Sequence, residues 1–203
     1  MPSFNDWPER LWVAGTDTNV GKTIVAAALV KHLNASYWKP VQTGTDTDDD
    51  TTTVQTLTGF DASKFLPNAM RFKAPLSPNQ AAELEGVTIA MRDIKLPDYR
   101  GRLVMEGAGG LLVPLNHHRT MIDLMRYYSA PVVLVARSAL GTLNHTFLSL
   151  HLLREMRLPI QGVVLIGDPN PMNARDIQEI GKVRILAEIP WMDPIDLDRI
   201  RFE

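Results

Sequence analysis

The chain has 203 residues, with 21 Lys and Arg against 23 Asp and Glu, a formal charge of −2 and no cysteine. Near-neutral charge gives no electrostatic basis for nucleic acid or an anionic membrane as partner, and the missing cysteines exclude disulfides, thiolate metal sites and a cysteine nucleophile. With 45% hydrophobic and 22% charged residues, it reads as one globular domain over residues 1–203, consistent with a reducing cytoplasm.

Residues 1–10 carry Asp6, Glu9 and two prolines and lack the apolar core of a secretory signal. No run approaches the ~20 apolar residues of a membrane span. Residues 11–14 read as a strand ending at Gly15, and residues 22–33, rich in Ala and Leu, as a helix. A second strand is expected at 37–41. Residues 43–58 are Thr- and Asp-rich and read as a solvated loop, with 51–57 helix-like. Residues 67–78 form a Pro-interrupted connection, and 86–99 look too short for a full crossover helix. Residues 103–105 are a strand running into Glu106-Gly107-Ala108-Gly109-Gly110. Met121, Leu124 and Met125 recur at helical spacing and belong to the core. Residues 131–136 and 160–166 are apolar runs without alternation, 142–156 is a helix, and 183–189 is the last strand.

Strands buried on both faces, with helices between them, define an α/β fold: a parallel sheet flanked by helices, a three-layer sandwich of the P-loop NTPase type. Ligands bind such sheets at the carboxyl ends of the strands. The polar and glycine-rich segments 15–23, 43–50 and 106–110 lie at those ends.

The strongest motif is Gly15-Thr16-Asp17-Thr18-Asn19-Val20-Gly21-Lys22-Thr23. A strand, a tight turn and a helix that starts at the turn aim free backbone N–H groups and the helix dipole at a phosphate. Lys22 adds a point charge and Thr23 a hydroxyl for Mg²⁺. The strict pattern would have glycine at position 16, where this chain has Thr16. Glu106, at the end of an apolar strand, supplies the hard oxygen that Mg²⁺ takes, and the glycines after it let backbone approach phosphate closely. Lys39, in Lys39-Pro40-Val41-Gln42-Thr43-Gly44, is either a solvated surface lysine or a charge that neutralises a transferring phosphoryl group or a substrate anion. Residues 141–144 open a long helix whose free N–H groups can hold an anion.

Taken together, these segments resemble the dethiobiotin synthetase family. Residues 15–23 look like its Gly-Thr-Asp-Thr-x-Val-Gly-Lys-Thr loop, 39–44 like Lys-Pro-Val-x-Ser/Thr-Gly, and 106–110 like Glu-Gly-Ala-Gly-Gly. Gly141-Thr142-Leu143-Asn144-His145 is similar to its Gly-x-x-Asn-His helix start, and Glu188-Ile189-Pro190-Trp191 to its late Glu-Ile-Pro-Trp segment. Order and spacing agree over roughly residues 10–192.

The resemblance implies a homodimer that turns 7,8-diaminopelargonate, CO₂ and the co-substrate ATP into dethiobiotin, ADP and phosphate. It implies that Lys39 and Thr43 contact a substrate carbamate with Thr16 and Lys22 nearby. Thr23, Asp50 and Glu106 would hold Mg²⁺, with Asp48 and Asp49 as alternatives to Asp50 because register decides among the three. The nucleotide would lie on Asn19, Val20, Gly21, Lys22, Thr23 and Ile24, on Glu106, Gly107, Ala108 and Gly109, and on Gly167, Pro190 and Trp191. The distal carboxylate of the substrate would meet Gly141, Thr142, Leu143 and Asn144 of a neighbouring subunit.

Three departures carry expectations. Ile166 stands where the family has a base-reading Asn, which implies weak discrimination among nucleoside triphosphates. Asn19 stands where some members have an acidic residue, and a chain that stops soon after Trp191 implies low nucleotide affinity. A partition-type nucleotide switch would need a lysine at position 17, where this chain has Asp17, and a glutamine-dependent amide ligase would need a cysteine. A degenerate homologue that only binds nucleotide is the other alternative. Among the rest, His117 and His118 read as a loop pair, His32 and His151 as helix-surface residues, and His145 as support for the turn before it. Trp12 and Trp38 are expected to pack on the sheet and Trp191 beside ligand.

Overall fold

The computed structural model describes residues 7–46 and 49–203. Six parallel strands form one sheet in the order β2 (Ser36–Trp38), β5 (Leu103–Gly110), β1 (Arg10–Gly15), β6 (Val132–Arg137), β7 (Ile160–Ile166), β8 (Ile185–Ile189). The runs without alternation became strands buried on both faces, as their composition demands. Alternate residues of β1 serve different layers. Leu11 and Val13 pack with α1 (Lys22–Leu33) and α2 (Asp50–Thr58). Trp12 and Ala14 pack with α3 (Pro78–Leu84), α4 (Met121–Tyr128), α5 (Thr142–Glu155) and α6 (Pro171–Glu179). Helices therefore cover both faces of a parallel sheet. Met121, Leu124 and Met125 are buried, as are Trp12 and Trp38.

β1 lies between β5 and β6. The chain leaves it on one side for β2 and returns on the other after β5, so the strand order reverses at β1. This is the switch point where open α/β sheets bind ligands. Three polar segments meet at this edge: the turn after Gly15, Lys39 after β2, and the end of β5.

Several elements differ from expectation. The expected strand 37–41 is divided. Pro40 carries no N–H for a ladder, so β2 stops at Trp38, and β3 (Val41–Gln42) pairs in parallel with β4 (Met70–Arg71) in a separate sheet. β5 continues through the glycine segment, and its register to β1 shifts between Val13 and Gly15. The last strand starts at Ile185 rather than at 183. Residues 86–99 hold only a short 3-10 turn, Met91–Asp93. His32 is not a plain helix-surface residue: its ring lies 6.1 Å from Trp7 and 5.4 Å from Phe202, joining the two ends of the described chain. No described helix is long and apolar enough to cross a membrane.

Candidate active site

Gly21 caps α1 with φ 92°, and no side chain caps that helix. Its first N–H groups are therefore available to an anion. A Cβ on Gly21 would lie 2.3 Å from Ile166 Cδ1, so position 21 is glycine both for its backbone angle and because Ile166 leans on it. Lys22 donates to the Asp17 carbonyl at 3.0 Å, folding its side chain back over the loop. Burial pushes its pKa down to about 8, against the pull of Glu106 and Asp50. Arg137, at the end of β6, braces the loop from outside through Asp17 at 3.2 Å and the Thr18 carbonyl at 3.0 Å.

Behind the loop lies a buried charge cluster. Thr23 Oγ1 stands 2.6 Å from Asp50 Oδ1 and 3.1 Å from Glu106 Oε1, one proton between two acceptors. Lys39 Nζ pairs with Asp50 and lies 3.1 Å from Glu106 Oε1. Tyr37 donates to Glu106 Oε2 at 2.8 Å. The Asp50 N–H donates to Gln42 Oε1 at 3.3 Å, and Gln42 in turn donates to the Thr43 carbonyl at 2.8 Å. Glu106 is 1% exposed and the Lys39 side chain 6%. Burial disfavours charge on Lys39, but the Glu106 and Asp50 carboxylates outweigh it and raise its pKa. Burial likewise opposes charge on Asp50, yet Lys39 beside it, with Thr23 and Gln42, draws its pKa down. The Tyr37 phenol is held well above its ordinary value by burial and by Glu106.

The register question among the three aspartates has a geometric answer for two of them. Asp50 turns inward to Thr23 and Lys39. Asp49 caps α2 at Thr52 and pairs with Arg71 at 2.7 Å. Asp48 lies outside the described residues.

A cleft of about 510 Å³ opens in front of the cluster, lined by Thr18 and Asn19 of the loop, Lys39, Gln42, Thr43, Gly44 and Asp50, residues Pro75–Pro78, and Ala108, Gly109 and Val113. Loop, cluster and Thr43 are thus gathered at one edge. Gly107 faces away, since a Cβ there would lie 2.8 Å from Met125 Cε in α4. Val20 is buried and Ile24 packs into the layer of α1. Thr16 lies on the other side of the loop, in a shallow depression with Leu112, His145 and Leu148. Gly141, Thr142, Leu143 and Asn144 do not line the cleft of their own chain. They open α5, whose N-terminus, capped by Gly141, also lacks a side-chain cap.

Gly167 follows β7 at the same edge. A Cβ on it would lie 2.7 Å from Ser138 Oγ and 3.6 Å from Trp191 Nε1. Pro190 and Trp191 are exposed beside it, and Ile166 is buried. Sequence reasoning missed Tyr37, Gln42, Arg137 and Ser138. Tyr37 was accessible, being two residues before Lys39 along the chain, where side chains of extended backbone share a face. Arg137 and Ser138 had no local signal, because their roles come from sheet order.

The fold and the glycine-anchored loop define a P-loop nucleotide-binding protein. Among solved structures, a ParA family ATPase from Chlorobium tepidum superposes with a TM-score of 0.55 over 92% of this chain and 87% of that one, at 16% identity, a likeness of fold alone. A family model described as an AAA domain matches residues 9–199. Proteins named ATP-dependent dethiobiotin synthetase are far closer in sequence. The one from Rhodopseudomonas palustris (strain BisB5) is 48% identical, covering 93% of this chain and 89% of that protein. The one from Nitrobacter hamburgensis is 47% identical, covering 95% and 91%. The chain belongs to the ATP-dependent dethiobiotin synthetase family.

Proposed function

We propose that this chain, acting as one P-loop domain, is the ATP-dependent ligase that closes the cyclic urea of dethiobiotin in biotin biosynthesis. The observation that carries the reading is the convergence of two lysines, two carboxylates and a threonine hydroxyl at the edge where the phosphate loop opens onto the cleft. A triphosphate and a carbamate repel each other, and a site that joins them needs cationic groups on both.

The β- and γ-phosphates lie along residues 19–24, on the N–H groups that the start of α1 leaves free, and on Lys22, with Ala108 and Gly109 on the opposite wall. The donor set fits Mg²⁺. Thr23, Asp50 and Glu106 offer three hard oxygens, two of them anionic, and the single charge of Lys39 leaves these two carboxylates short of one positive charge. Among the described residues no three His, Cys, Asp or Glu side chains form a metal cage, so nucleotide phosphates and water would have to complete the coordination. Bound there, Mg²⁺ would neutralise charge on the phosphates.

One amine of 7,8-diaminopelargonate captures CO₂ as a carbamate, which Lys39 and Thr43 hold in the cleft. A carbamate oxygen attacks the γ-phosphorus and ADP leaves. The second amine then attacks the carbonyl carbon, and phosphate departs with the oxygen that bridged them. Lys39 stabilises the anion through both steps. Enzyme supplied with ¹⁸O-labelled CO₂ should release phosphate carrying one labelled oxygen. Unlabelled phosphate would rule out the mixed-anhydride route.

The distal carboxylate of the substrate is received by Gly141, Thr142, Leu143 and Asn144 of a second copy, so the active form is a homodimer. Exposed Leu112, Leu140 and Leu148 support an apolar contact on this side. Activity per chain should fall on dilution, and a fully active monomer would refute the composite site. Ile166 offers the base no hydrogen bond, leaving it to Trp191, Pro190, Gly167 and Ser138. The enzyme works in the cytoplasm.

A further inference from the structure

The cluster already holds one internal cation. Lys39 Nζ has two partners, Asp50 and Glu106 Oε1. Lys22 does not share them, because its Nζ is turned to the Asp17 carbonyl. The oxygens that hold Lys39 are those of the carboxylates assigned above to Mg²⁺. An ammonium and a divalent cation cannot both sit at bonding distance from Glu106 Oε1, because like charges that close repel strongly at low dielectric. Room for one of them to move exists. Lys39 forms part of the wall of the 510 Å³ cleft, beside Gln42 and Thr43, and its four-carbon stem is flexible.

We infer that Lys39 is the resident counterion of the metal locus and exchanges with the incoming divalent cation. In the empty enzyme it holds Asp50 and Glu106 together. When metal and nucleotide load, Lys39 is released into the cleft, and only then is its charge free for the substrate anion. Lys39 thereby makes binding ordered: until a cation has taken its carboxylates, the carbamate meets an ammonium that is already paired. The inference rests on the functional reading above, from which it takes the metal ligands and the anionic substrate.

The test uses the wild-type enzyme labelled with ¹⁵N at the lysine side chains, with the Lys39 signal assigned by its absence in Lys39→Arg. Magnesium and a non-hydrolysable ATP analogue are titrated in, and bound metal is counted in parallel by Mn²⁺ electron paramagnetic resonance. The buried, paired ammonium should give a protected signal without metal and lose it to rapid solvent exchange at saturation. Mn²⁺ alone should bind Lys39→Met about tenfold more tightly than wild type, since a competing cation has gone. An unchanged Lys39 signal at saturating Mg²⁺ and analogue, with the parallel Mn²⁺ count showing the site filled, would overturn the exchange and leave the functional reading standing. If no Mn²⁺ binds with the analogue, the metal assignment itself falls and takes the exchange with it. The wild-type measurement decides the matter even if Lys39→Met does not fold.

Discussion

The contact between Ile166 and Gly21 can be tested by a double-mutant cycle. Adding a methyl group in Gly21→Ala has two costs. The first is backbone: at φ 92° an L side chain costs roughly 1–2 kcal/mol. The second is steric: the new Cβ would lie 2.3 Å from Ile166 Cδ1, while the next Ile166 atom is 3.5 Å away. Overpacking of this kind costs roughly 1–3 kcal/mol, so the single variant should lose about 2–5 kcal/mol in all. Ile166→Val deletes Cδ1 and alone costs about 0.5–1.5 kcal/mol. In the Val background only the backbone cost of Gly21→Ala should remain, giving a favourable coupling of roughly 1–3 kcal/mol. Urea denaturation of the four nucleotide-free proteins measures it. A coupling below about 0.5 kcal/mol is indistinguishable from additivity and would mean that Ile166 does not lean on the phosphate loop.

Three further outcomes are expected. Tyr37→Phe leaves the buried Glu106 Oε2 without its donor. It should cost roughly 2–3 kcal/mol and lower Tm by about 4–12 °C, as differential scanning fluorimetry would read, and an unchanged Tm would deny Tyr37 its hold on Glu106. Ile166→Asn should sharpen preference for ATP over CTP and GTP in steady-state turnover, whereas a wild type already exclusive for ATP would defeat the account of the base. Lys22, with a folded pKa of about 8, is neutral at high pH in the empty enzyme, while its unfolded value stays near ~10.4. The unfolded chain then binds more protons between these values, so stability gains from this residue as pH rises through that window. Bound phosphates should restore the proton. Calorimetry in buffers of different ionisation enthalpy should show proton uptake on nucleotide binding at pH above ~8 that fades toward ~7, and no uptake would place the Lys22 charge away from the phosphates.

How far the sequence reached depends on what fixes each element. β7 and α1 were legible to the residue, because apolar runs and Ala-rich composition are local signals. The brief pairing of β3 with β4 was not, since two-residue strands have no period to read. β5 outran its expected end because the glycines that suggest a loop are there to bring backbone close to the loop after β1. Asp50 could be singled out by its place before a helix, but Asp49 is the residue that caps it, and only the structure separates the two roles. Asn170 capping α6 ahead of Pro171 is a helix start with a local signal. Lys39 illustrates the limit best. Its motif marked it as a charge in the site, but the pairing of that charge with Asp50 and Glu106 follows from strand order and from a helix that comes later in the chain.

The central claim is that this site joins a diamine, CO₂ and ATP. The direct measurement is phosphate release by purified protein with ATP, Mg²⁺ and bicarbonate, with and without 7,8-diaminopelargonate, and with the organic product weighed by mass spectrometry. Release should require the diamine and yield a product of cyclic-urea mass. Nucleotide binding with no diamine-dependent release would contradict it and leave a nucleotide-binding protein on the same fold.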